Sequence, residues 1–325
     1  MSFISESILK NLISGSKQRV LLPFYHKVID DKNSFAKDLY IPRKIIDFKN
    51  DLDVLSKYYK SISLQEFISI SKQKSIKENY FHLTFDDGLS NFYKIVAPIL
   101  VEKKIAATVF INTDFVDNKS LFYRYKASLL YQIYEKSTTI VKNKFYDFFK
   151  EKGTVKERLF AINYQNKQLL DELASVVNYS FEEYLEKEKP YLSSSQIQEL
   201  IDMGFTIGAH SKSHPLYSMI SLDKQLDETI GSVNWLVNKF QLNYKAFSFP
   251  HTDLEVTSKF FEKLAKTNEI DVSFGTSGIK KDTLKTNFQR IVFEIAEPNM
   301  ENYLIKEYIK YLLKIPLFKN VMPRK

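Results

Sequence analysis

Phe81-His82-Leu83-Thr84-Phe85-Asp86-Asp87-Gly88 decides the reading of this chain. Aromatic, aliphatic and β-branched residues run straight into two adjacent carboxylates and a glycine. The stretch therefore reads as a buried strand ended by an Asp-Gly turn. Acids at the C-terminal end of a parallel strand stand where α/β folds place their chemistry. A plainer reading also exists, in which Asp-Gly is only a turn and Asp87 caps the following helix.

A second stretch, Gly208-Ala209-His210-Ser211-Lys212-Ser213-His214-Pro215, weighs against the plain reading. It follows another short strand-like run, Phe205-Thr206-Ile207. The chain holds five histidines, and these two stand four residues apart, close to one helical turn. That spacing lets both imidazoles converge on one ion. One carboxylate with two imidazoles is a common ligand set for a catalytic divalent metal that keeps a position open for water. The other carboxylate is then free to act as a base.

These residues resemble the polysaccharide deacetylases, the NodB-homology group also classed as carbohydrate esterase family 4. Thr84-Phe85-Asp86-Asp87-Gly88 is similar to the first motif of that family, and His210-Ser211-Lys212-Ser213-His214 to the second. Phe247-Ser248-Phe249-Pro250 is similar to a degenerate third. The resemblance runs from about Arg19 to Phe293, with one long insertion. Tyr25-His26-Lys27-Val28 matches the Tyr-His-x-Val pattern of one branch, in which the motif order is circularly permuted and this histidine is the general acid.

The resemblance implies a metal-dependent hydrolase that removes acetyl groups from N-acetylated sugars of a poly- or oligosaccharide. It implies Asp87, His210 and His214 as metal ligands, Asp86 as base and His26 as acid. The expected ion is Zn²⁺, ahead of Co²⁺, Ni²⁺ or Mn²⁺. Past Phe249 and Pro250, the backbone N–H of His251 is the implied oxyanion donor. Two departures follow from the same comparison. The third motif of the family carries an arginine that orients the base, whereas Lys245-Ala246-Phe247 has none, which leaves Arg290 or Arg124 to do so. The acid-bearing motif near the C-terminus is also missing, and His26 takes its place. His82 and the side chain of His251 read as core or supporting groups.

Strand-like runs ending at His26, Asp86, Ile111, His210, Phe249, Phe274 and Phe293 predict about seven βα units. The economical architecture is α/β, a distorted TIM-like (β/α)7 barrel, which brings all these strand ends to one rim. A single domain over residues 1–325 is expected. Residues 117–192 are Lys/Glu-rich and helical in pattern, with stripes at Leu129, Leu130, Ile133 and at Phe145, Phe148, Phe149. They read as an insertion on the rim, either packing or forming a lid or groove wall. Ser90 to Lys103 reads as one helix bent at Pro98, and Ser194 or Ser195 as the cap of a helix to Met203, with Gly204 as its C-cap.

With 44% hydrophobic and 14% aromatic residues, the chain has ample material for a core. The net charge of +8 comes from lysines scattered among acids, a solvated surface rather than a nucleic-acid footprint. Zero cysteines exclude disulfides and thiolate metal sites. No signal-peptide pattern or membrane-length apolar run is present, so the expected location is the cytoplasm. The basic amphipathic tail, Tyr303 to Phe318, is read as packing on the body, with peripheral contact at the inner face of the membrane as the other option. Two rival functions remain: a non-catalytic carbohydrate-binding relic, and hydrolysis of a non-sugar amide.

Overall fold

Each of the seven predicted runs forms a strand. They are β1 (Pro23–Tyr25), β2 (Leu83–Phe85), β3 (Ala107–Ile111), β4 (Thr206–Ala209), β5 (Ala246–Ser248) and β6 (Val272–Gly275). The last run divides into β7 (Asn287–Gln289) and β8 (Ile291–Val292). The structure, a computed structural model, describes residues 3–30, 36, 38–150, 152–295, 297 and 299–324.

All eight strands are parallel, in the order β7-β6-β5-β4-β3-β2-β1-β8. The split in the last run has a physical cause. Closing a barrel requires one segment to pair on both sides, and the chain changes partners at Arg290. Its N–H donates to Gly275 O at 3.1 Å, next to β6, and the N–H of Ile291 donates to Leu22 O at 2.9 Å, beside β1. The result is a nearly closed parallel barrel, with the predicted seventh strand interrupted at the closure point.

The first two barrel strands are also shorter than predicted. Val20–Leu21 and Tyr80–Phe81 leave the barrel to form a small parallel sheet with Lys60–Ser61. Pro23 has no N–H to give a continuous ladder, which favours the break beside it. The predicted helix after β2 is likewise two pieces, a π-helical turn over Phe92–Val96 and an α-helix over Ala97–Lys103. Pro98 sits in the first turn of the second piece, where its missing N–H costs least. The helix Ser194–Asp202 is capped by Ser193, not by Ser194 or Ser195. Gln196 at its third position returns the bond, completing a capping box.

Residues 117–192 lie between β3 and β4. Their helices include Tyr123–Lys136, Thr139–Phe149 and Gln168–Val176. Leu129, Leu130, Phe145, Leu159, Leu170 and Leu173 bury one another there, apart from the barrel core. Leu89, just past β2, and Tyr191 join the same cluster, which fastens the insertion over the strand end that carries the two acids. The C-terminal helix Met300–Lys314 buries Leu304, Tyr308 and Tyr311 on the body, and its main neighbour is the helix Phe3–Ser16. Among the described residues, no helix is long and apolar enough to cross a membrane.

Gly208 shows how tightly the barrel closes around the second motif. A Cβ there would intrude on the Phe110 ring and meet Ala246 O at 3.1 Å. Phe110 is fully buried and cannot move aside cheaply. Gly208→Ala is therefore expected to cost about 1–3 kcal/mol of stability, read as a lower urea midpoint with an unchanged slope. An unshifted midpoint would contradict the packing described.

Candidate active site

At the end of β2, Asp87 and Gly88 both adopt left-handed backbone (φ +71° and +62°). The two acids take different main partners, although both come within 4.0 Å of His210 Nε2. Asp86 meets a guanidinium. Arg290, fully buried at the closure point, donates to both of its oxygens at 2.7 Å. The guanidinium also bonds Ser248 Oγ at 2.6 Å, Thr84 Oγ1 at 3.1 Å and Gly275 O at 3.2 Å. Burial alone would raise the Asp86 carboxyl pKa, but the charge of Arg290 outweighs it and holds the group below the ordinary range. Of the two arginines offered by the sequence, Arg290 holds Asp86. Arg124 instead lines the cavity above, with its Nε donating to Tyr123.

Asp87 turns toward the imidazoles. Tyr125 donates to its Oδ2 at 2.6 Å. Its Oδ1 faces His214 Nε2 at 3.1 Å and His210 Nε2 at 3.6 Å, yet is buried with no hydrogen-bond partner. His210 Nδ1 lies 2.8 Å from the carbonyl oxygen of Ser248. A carbonyl can only accept, so Nδ1 carries the proton and the Nε2 lone pair points at Asp87. Burial first, with the neighbouring imidazole and Arg290 adding to it, pushes His210 down to about 4, so the ring is neutral.

A lone pair and a carboxylate oxygen set face to face in a buried site repel unless a cation lies between them. Asp87, His210 and His214 offer one ligand atom each, all within 4.8 Å of one another and all buried. The residues fit a divalent ion.

The two histidines converge without a helix. Residues 210–216 form a loop with left-handed backbone at Ser211 and His214 (φ +67° and +59°). Glu228, buried on the next helix, accepts from the backbone N–H groups of Lys212 and Ser213 at 2.9 Å each, and from the Ser213 hydroxyl at 2.8 Å. Sequence spacing suggested a helical turn, whereas the loop and its buried acid do the work.

Across the cavity, His26 Nδ1 lies 2.6 Å from Glu294 Oε2, and Tyr40 stacks on the ring at 5.0 Å. The side chain of His26 is 25% exposed, so it faces the opening. Burial alone would lower its pKa. Glu294, by charge and hydrogen bond and helped by Asp87 and Asp86, overcomes that and raises it to about 9. His251 and Phe249 line the same cavity, while Pro250 lies between them in the chain. The His251 ring packs edge-on to His214 at 4.6 Å. His82 bonds Ile62 O and Thr108 Oγ1, both at 2.8 Å, deep in the core and away from the site, as read from the sequence.

Sequence reasoning missed Glu294, Tyr125, Glu228 and Tyr40. Glu294 had a signal: it follows the last strand, on the rim that carries the other acids. Tyr125 had only its place in Phe122 to Lys126, a stretch close to the strand end, because its contact with Asp87 depends on how the insertion folds.

The family model for polysaccharide deacetylases matches residues 73–269. The chain belongs to the polysaccharide deacetylase family. This deacetylase-family chain also shares its fold with solved structures. The Streptococcus pyogenes deacetylase PplD, in complex with acetate, is 15% identical, with 89% of this chain and 97% of that one covered and a TM-score of 0.57. IcaB from Ammonifex degensii is 13% identical over 90% and 97%, with a TM-score of 0.55. A de-N-acetylase from Aggregatibacter actinomycetemcomitans is 14% identical over 89% and 99%, with a TM-score of 0.53. No curated protein sequence matches the chain.

The His26–Glu294 pair has a sign that can be measured. Its folded-state pKa lies above the ordinary 6.5, so its contribution to stability is complete below that value and is lost as pH rises through about 9. In Glu294→Gln the largest opposing influence, burial, is left to act, so the titration midpoint of His26 followed by NMR should fall toward or below 6.5. A midpoint that stays near 9 would mean that Glu294 does not set it.

Proposed function

We propose that the chain is a metal-dependent hydrolase that removes the acetyl group from an N-acetylated sugar of a poly- or oligosaccharide. The observation that carries this reading is the arrangement of one arginine-held acid, one acid facing two imidazoles, and one histidine with a raised pKa around a single cavity of about 230 Å³. Family membership supports the acetyl group as the target.

Asp87, His210 and His214 would hold the ion. Two imidazoles and one carboxylate with an open position suit Zn²⁺, with Co²⁺, Ni²⁺ or Mn²⁺ as substitutes. When bound, it supplies Lewis acidity, polarising a carbonyl and lowering the pKa of water from 15.7 toward roughly 7. Asp86, ionised and aimed by Arg290, takes a proton from the attacking water. The water oxygen bonds to the acetamide carbon, and the backbone N–H of His251 donates to the oxygen that gains charge. His26, protonated against Glu294, gives its proton to the departing nitrogen as the C–N bond breaks. Acetate and a free amine result. Tyr40 and Phe122 offer aromatic faces suited to a sugar ring.

A non-catalytic relic would have no need for all five groups in one cavity, and the loss of any one would go unpunished. Hydrolysis of a non-sugar amide would use the same residues, and substrate trials separate it: acetate release from N-acetylglucosamine oligomers supports the sugar reading, and release only from non-sugar amides overturns it.

Purified protein is expected to carry about one divalent ion per chain, read by elemental analysis, and His210→Ala or His214→Ala should remove it. Asp86→Asn should keep the ion and lose about 10²- to 10⁴-fold in turnover. Full occupancy in both histidine variants, or loss of the ion in Asp86→Asn, would refute the division of roles.

Proton donation by His26 can be isolated by choice of leaving group. His26→Ala should cripple hydrolysis of an N-acetyl sugar while affecting an activated aryl acetate ester far less, because a phenolate departs without a proton. Equal losses on both substrates would make His26 structural.

A further inference from the structure

Arg124 stands in the cavity without a task. Arg290 holds Asp86 with two bonds of its own, so Arg124 is not needed to orient the base. It sits in the first turn of the helix Tyr123–Lys136, half-buried, with its side chain lining the cavity. Its Nε donates to Tyr123 Oη at 3.3 Å, and its guanidinium lies 5.9 Å from the centre of that ring. Neither terminal nitrogen has an acceptor, and no carboxylate pairs with it, among the described residues.

Asp86 has Arg290 and His26 has Glu294, while Asp87 belongs to the ligand set whose charge an ion would meet. Arg124 is the one lining cation left without a counter-charge among the described residues. His251 Nε2, on the same cavity, is likewise buried without a partner. Holding a cation partly out of water is costly unless something of opposite charge meets it. A guanidinium presents its two terminal nitrogens as a planar fork that matches a carboxylate or a phosphate.

We propose that Arg124 reads a carboxylate or phosphate group on the substrate glycan, close to the acetamido group that reacts. The preferred substrate is then an anionic N-acetylated sugar. This inference rests on the deacetylase reading above and narrows its substrate class. Arg124 acts on specificity and takes no part in bond breaking.

Three probes separate the possibilities by calorimetric titration of the intact protein at low ionic strength. They are N-acetylglucosamine (neutral), N-acetylmuramic acid (carboxylate) and N-acetylglucosamine 6-phosphate (phosphate). At least one anionic sugar should bind tenfold or more tightly than the neutral one, and the arm that does so names the group. Arg124→Gln and Arg124→Ala should each weaken anionic binding roughly 10- to 100-fold, with a much smaller change for the neutral sugar. Arg124→Lys should fall between, since it keeps the charge and loses the fork. In turnover, the loss should lie in KM rather than kcat. Equal affinity for all three sugars in the wild type, or equal losses for all three in the variants, would overturn the proposal. Anion-dependent binding without any acetate release would instead sink the deacetylase reading, whereas turnover with no anion preference would sink this one alone.

Discussion

The Arg290–Asp86 pair is the contact on which the rest of the structure depends. Arg290 is the residue where the last strand segment stops pairing with β6 and begins pairing with β1, so the barrel closes through it. The same side chain spans the interior to bond β2, β5 and β6 through Asp86, Thr84, Ser248 and Gly275. Its cation lies over the Phe24 ring at 4.7 Å and is fully buried. A buried ion pair is weak evidence of net stability, but removing one partner strands the other and typically costs about 3–5 kcal/mol. Closure of the fold and ionisation of Asp86 are thus one interaction, and neither is independent of the other.

Two adjacent carboxylates would repel if they shared an environment. Here both lie within 4.0 Å of His210 Nε2, and their main partners divide them. Asp86 is held by a guanidinium, and Asp87, in left-handed conformation, accepts from a tyrosine and faces two imidazoles. Each is held ionised by a different partner. Left-handed backbone at non-glycine residues is uncommon, and Asp87, Ser211, His214 and His251 all show it around one cavity. Such strain survives only where the surroundings overdetermine it. Glu228 does so for the histidine loop, and Arg290 with Tyr125 for the acids.

The insertion belongs to the site as much as to the scaffold. Its own core takes in Leu89 at the end of β2, and from there it delivers Phe122, Arg124 and Tyr125 to the cavity. Barrel strand ends supply the acids and imidazoles of the cavity, while the insertion supplies walls and the tyrosine contact of Asp87. This is the usual division in barrels, where strands fix the chemistry and rim segments vary what is admitted.

The local pattern of this chain was enough to place the strands and their parallel barrel and to bring Asp86, Asp87, His210 and His214 forward as strand-end candidates, whereas His26 stood out through its likeness to the Tyr-His-x-Val pattern of the family. Strand ends are written locally: an apolar run that stops at a charged or imidazole side chain marks the rim wherever the barrel closes. What the pattern left open was partnership across the fold. Either Arg290 or Arg124 was compatible with the sequence, because the distance from each to Asp86 depends on where the barrel closes and how the insertion sits. Glu294 behind His26, Tyr125 on Asp87 and Glu228 under the histidine loop lie 268, 38 and 15 to 16 residues from the groups they hold. No periodicity links residues so far apart. Only the folded chain brings them within hydrogen-bonding reach, and there their charges set which acid is held by arginine and which histidine stays protonated.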